Sequence, residues 1–77
     1  MKVPEGLQKE ILRTLYKAYP KRLQVKEFSQ SMPGHPGEPQ VFGACLYLED
    51  KGRLARTDDG WRISASGIDF LEEKNLV

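Results

Sequence analysis

The sequence predicts a single small α+β domain, mainly helical, with a two-stranded hairpin before a last helix. Three observations carry that prediction. Apolar residues recur at helical spacing over positions 4–19 and again over 39–51. The period then changes to short segments flanking Asp58-Asp59-Gly60, a hairpin signal. Finally, 77 residues leave room for one hydrophobic core and no second one.

Composition narrows the function classes. Hydrophobic residues make up 39% and charged ones 30%, a globular balance rather than a disordered or membrane one. Apolar runs of only a few residues cannot span a bilayer, so no membrane partner is expected. Met1-Lys2-Val3-Pro4 leads directly into mixed charge, without the apolar stretch of a signal peptide, and a cytoplasmic location is the expectation. One cysteine, Cys45, excludes an internal disulfide framework, and one histidine leaves no zinc set, so no cofactor or metal is expected.

The first helix is expected from Pro4 to Tyr19. Leu7, Ile11, Leu15 and Tyr19 form its apolar stripe, widened by Leu12 and Ala18, and Pro20 ends it. Leu23-Gln24-Val25 is too short for an independent strand; it either adds a stub to the hairpin or leads into a second helix. That helix runs from Val25 to about Ser31, with Val25, Phe28 and Met32 buried. Pro33-Gly34-His35-Pro36-Gly37-Glu38-Pro39 holds three prolines and two glycines, which makes it a loop. Pro39 opens a third helix that ends at Lys51 before Gly52. Its core face is Val41, Ala44, Cys45 and Leu48; its outward face carries Gly43, Leu46, Tyr47 and Asp50.

For the hairpin, a three-residue loop pairs Thr57 with Trp61 and Ala55 with Ile63, leaving Arg56 and Arg62 together on the other face. A two-residue Asp59-Gly60 loop would bring Arg56 to the face of Ile63, so the three-residue loop is preferred. Ser64 caps a final helix with Ile68 and Leu71 in the core and Phe70 near them. An isolated hairpin is marginal in water and must pack on the helices.

Leu48-Glu49-Asp50-Lys51-Gly52-Arg53-Leu54 resembles the end of a recognition helix turning into a wing through glycine. Trp61-Arg62-Ile63-Ser64-Ala65-Ser66-Gly67-Ile68-Asp69-Phe70-Leu71 resembles a second wing strand followed by a serine-capped helix. Val25-Lys26-Glu27-Phe28 is a weaker match to the start of a second helix. On these stretches, most of residues 23–71, the chain resembles the winged helix-turn-helix superfamily, especially its small bacterial and phage members. The long connection from Ser31 to Glu38 departs from the usual short turn.

The resemblance implies a three-helix core with a hairpin wing, double-stranded DNA as partner, and a transcription regulator or phage-type accessory factor. The third helix would enter the major groove, with Gln40, Gly43 and Tyr47 facing it. Lys21, Arg22, Lys26, Arg56 and Arg62 would hold phosphates. The net charge of +1 does not oppose this, because residues 1–30 carry seven basic and three acidic side chains, whereas 31–52 carry one and three. In the preferred register Arg56 and Arg62 are like charges across the hairpin, costing about 0.2–1 kcal/mol that a bound anion would relieve. Two solvated arginines with Asp58, Asp59 or Asp69 nearby are the equally weighted alternative.

The third helix also supports a different reading. It lacks the arginine that reads guanine, and Asp50 opposes phosphate. Phe42, Leu46 and Tyr47 fit extra core first, then the interface of a homodimer or protein partner, and base readout last. His35 is expected as a solvated loop residue and Cys45 as a small buried hydrophobe. Trp61 is expected in the core, and Glu72-Glu73 on a solvated face. Asp58-Asp59-Gly60 is a turn, not a calcium loop. No nucleophile–base grouping or Walker-type loop is present, so no enzyme is expected.

Overall fold

A computed structural model describes residues 3–32, 34 and 36–76, and its first element follows the apolar stripe at the start of the chain. Helix α1 spans Glu5–Ala18 and buries Ile11, Leu12 and Leu15. Tyr19 does not join that stripe. The helix has already ended at Ala18, the backbone at Tyr19 is extended ahead of Pro20, and the ring is 49% exposed. Tyr16 packs against the core edge instead, and its hydroxyl donates to Glu72 Oε2 at 3.4 Å.

Helix α2, Val25–Ser31, has the expected bounds. The Gln24 backbone N–H donates to Glu27 Oε1 at 3.0 Å, which satisfies a donor beside the helix start. Phe28 and Met32 are buried, while Val25 is only partly so. Helix α3, Glu38–Asp50, begins one residue before Pro39, which sits in its first turn. Its core face is the expected one, with Val41, Ala44, Cys45 and Leu48 all buried. At its end the N–H of Gly52 donates to Glu49 O at 2.8 Å and that of Arg53 to Leu48 O at 2.9 Å. This pair of bonds needs a left-handed residue, and Gly52 supplies it at φ 79°.

Strands β1, Leu54–Thr57, and β2, Gly60–Ile63, pair antiparallel. Their register differs from the expected one. Leu54 faces Ile63, Ala55 faces Arg62, Arg56 faces Trp61 and Thr57 faces Gly60, so the loop is Asp58-Asp59 alone. The physical reason is burial: this register sets Leu54, Trp61 and Ile63 on one face, and all three are buried.

Leu23 decides the matter further. It bridges to Trp61, its N–H donating to Trp61 O at 2.9 Å and its carbonyl accepting from Trp61 N–H at 2.8 Å. The stub reading of Leu23 therefore holds. A Cβ on Gly60 would lie 2.5 Å from Leu23 O, and Gly60 has φ 127°. Gly60 is thus a strand residue under a crossing backbone as well as the residue that leaves the turn.

Helix α4, Ala65–Glu73, is capped by Ser64, whose Oγ accepts from Gly67 N–H at 3.1 Å and donates to Gly52 O. Leu71 is buried; Ile68 and Phe70 pack at the core edge. The core lies between α1, α3 and the inner face of the hairpin, closed by α2 and α4. No helix among the described residues is long and apolar enough to cross a membrane.

Candidate nucleic-acid interface

Directly opposed residues of an antiparallel pair leave the sheet on the same face, so Arg56 accompanies Trp61 toward the helices. Trp61 is 3% exposed and meets Phe42 of α3 edge-on, with centroids 6.2 Å apart and planes at 73°. Arg56 Cζ lies 5.2 Å from the Phe42 centroid and 5.4 Å from that of Trp61. A guanidinium at these distances is attracted by the negative faces of both rings. Phe42 nevertheless stays 37% exposed.

These three side chains border a shallow recess of about 330 Å³. Lys26 from α2 stands on its rim, with Glu38 from α3 and Asp58 from the hairpin loop. The ion pair found within 4 Å among the described residues is Arg13–Glu10, at 3.6 Å. Lys26 and Arg56 therefore share the recess with carboxylates without being locked to them. Lys21 and Arg22 are exposed on the segment that the Leu23 bridge ties to the hairpin.

The other expected contact residues lie elsewhere. Arg62 is on the opposite face of the hairpin, beside Ala55, and its Nη1 donates to Ile63 O at 3.2 Å. The expected pairing of Arg56 and Arg62 on one face is thereby corrected, and with it the argument that an anion would relieve their repulsion. Gln40 and Gly43 line an apolar recess of about 340 Å³ with Pro4 and Leu7 at the start of α1. Tyr47 lines a third cleft, of about 550 Å³, with Lys51 and Arg53. Of the eight expected residues, Lys26 and Arg56 are brought together in one recess and Gln40 and Gly43 in another, and only the first pair is cationic.

The extra-core reading of the α3 face is also corrected for two of its three residues. Phe42 is 37% and Leu46 36% exposed, so neither is core; Tyr47 is half-buried. Phe42 and Tyr47 are five positions apart, about 140° around the helix, so they serve opposite flanks of α3. His35 lies outside the described residues. Cys45 is buried, and burial pushes its thiol up to about 12, which keeps it protonated at neutral pH.

The sequence reading missed the Tyr47–Lys51 pair and the Arg53–Phe70 contact. Lys51 Nζ lies 5.4 Å from the Tyr47 centroid and Arg53 Cζ 3.9 Å from that of Phe70. The i, i+4 spacing of Tyr47 and Lys51 was a usable signal. Arg53 and Phe70 come from different elements, and no spacing announces them. No family model matches the chain, and no curated protein or solved structure matches it.

Proposed function

We propose that this chain is a winged-helix domain that binds double-stranded DNA, as a transcription regulator or accessory factor. The reading rests on one observation: Lys26 of α2 and Arg56 of β1 share the recess beside exposed Phe42 of α3, with no carboxylate within 4 Å of either among the described residues. Two cations in one recess beside a helix suit phosphates along one edge of a groove. The order of elements and the Leu23 stub beside the hairpin also fit this fold. Lys21 and Arg22 extend the positive edge, and Gln40 and Gly43 present the α3 start to the bases.

The test is a salt-titrated binding assay on mixed-sequence duplex. Replacing Lys26 and Arg56 together by alanine should weaken binding and reduce the slope of log K against log salt by about 2. Arg62→Ala should leave that slope nearly unchanged, because Arg62 leaves the hairpin on the other face. Absence of salt-sensitive binding by the wild type at low ionic strength sinks the reading.

A second reading is an interface with a protein partner or a second copy, through Phe42 and Leu46 with Tyr47 at the margin. The observation favouring it is that both apolar side chains are more than a third exposed. Leu46→Lys should then abolish association in sedimentation without altering the far-UV spectrum; an unchanged association state rejects it.

A further inference from the structure

From the cleft between α1, the end of α3 and α4, we infer a second site, for an organic phosphate of mononucleotide size. The inference does not depend on DNA binding. The cleft is about 550 Å³, within the range of about 300–1,000 Å³ typical of small-molecule sites. Lys9, Lys51, Arg53 and Lys74 line it, against a single carboxylate, Glu5. None of the four cations has a carboxylate within 4 Å among the described residues. That surplus is what a phosphate monoester, carrying about −1.5 to −2 at neutral pH, would neutralise.

Backbone geometry explains why Arg53 is there. The α3 terminus binds its N–H, its carbonyl accepts from Ser64 N–H at 3.1 Å, and Gly67 packs against the same carbonyl. Held at both ends, Arg53 sits over the Phe70 ring at 3.9 Å. Lys51 lies over Tyr47 in the same way, at 5.4 Å.

The planar guanidinium of Arg53, backed by the Phe70 ring, offers a stacking surface for a flat ring, while the lysines act as point charges for the phosphate. Glu5 is an acceptor for a ligand hydroxyl or amine. An acidic peptide would use the charges and leave the ring-backed guanidinium plane unused for stacking, which is why the ring-bearing phosphate is favoured.

The experiment is an amide NMR titration of the full chain at low salt with AMP, adenosine, inorganic phosphate and a poly-glutamate peptide as separate probes. AMP should shift the Lys51, Arg53 and Lys74 amides together and saturably. Adenosine and inorganic phosphate should each bind roughly tenfold more weakly or less, and Lys9→Gln with Lys51→Gln should weaken AMP by a similar factor. These two lysines are exposed, so the double variant retains the fold. The inference is overturned by no saturable shift up to about 10 mM AMP. Equal affinity for inorganic phosphate, tighter binding of the peptide, or unchanged affinity in the double variant overturns it as well.

Discussion

The two clefts on either side of α3 are built from the same contact, a cation laid on an aromatic ring, but they differ in what holds the ring. On the hairpin side the ring is Trp61, 3% exposed and part of the core. On the α4 side it is Phe70, half-buried at the core edge and held near Arg53 by backbone contacts at Ser64 and Gly67. Charge separates them too. Lys26 and Arg56 share their recess with Glu38 and Asp58, whereas four cations share the other with Glu5 alone. The hairpin-side cleft is thus tied to a core side chain, and the α4-side cleft to backbone contacts at the core edge.

The largest expected effect breaks the first region. Trp61→Ala removes a buried aromatic that touches Phe42, Arg56 and the Leu23 bridge, and should cost about 3–5 kcal/mol in urea unfolding. A cost below about 1 kcal/mol would mean that the inner hairpin face is not core.

Next is Gly67→Ala. Its new Cβ would lie 2.7 Å from Ile63 Cγ1 and closer still to the Arg53 carbonyl, backbone that cannot step aside cheaply. Overpacking of this kind should cost about 1–3 kcal/mol. The amide shifts should centre on Arg53 and Phe70 and leave Lys26 and Phe42 unmoved. Equal perturbation on both sides of α3 would show that the two clefts are one mechanical unit.

Ser64→Ala tests the same hinge more gently. It removes the acceptor for Gly67 N–H and the donor to Gly52 O, and should cost about 1 kcal/mol. Ser64→Asp keeps the acceptor and loses the donor, so it should recover part of that loss. No recovery would assign the effect to the Gly52 contact.

What was legible in the sequence was local. The bounds of α2, the core quartet of α3 and the Ser64 cap all follow from spacing and chemistry within one element. The failures came from contacts between elements. Gly60 reads as a loop glycine until Leu23 is seen crossing over it, and with Gly60 in the strand Leu54 and Arg56, rather than Ala55 and Thr57, join Trp61 and Ile63 on the inner face. Arg56 and Arg62 then separate, because a one-residue slip reverses side-chain facing. Tyr19 fits the stripe by period alone, but Pro20 stops the helix before it can use that position. Phe42 and Leu46 stay open because what covers a helix face is decided by the other elements. The cation cluster of the α4-side cleft draws on three elements far apart in the chain, each unremarkable alone.

The smallest effect discriminates most finely between the regions. Arg56 lies within about 6 Å of two ring centroids, a geometry worth about 0.5–1 kcal/mol at exposed sites. A double-mutant cycle with Arg56→Gln and Phe42→Leu isolates that coupling, since both replacements keep most of the side-chain volume. A coupling near 0.5 kcal/mol means that Arg56 rests on the ring and must leave it, or share it, to reach a phosphate. Duplex binding by Phe42→Leu should then be slightly tighter than wild type, because the arginine is released. Zero coupling places Arg56 free in solvent, and Phe42→Leu should leave duplex affinity unchanged. Weaker duplex binding by Phe42→Leu contradicts both cases and means that the ring itself touches the ligand.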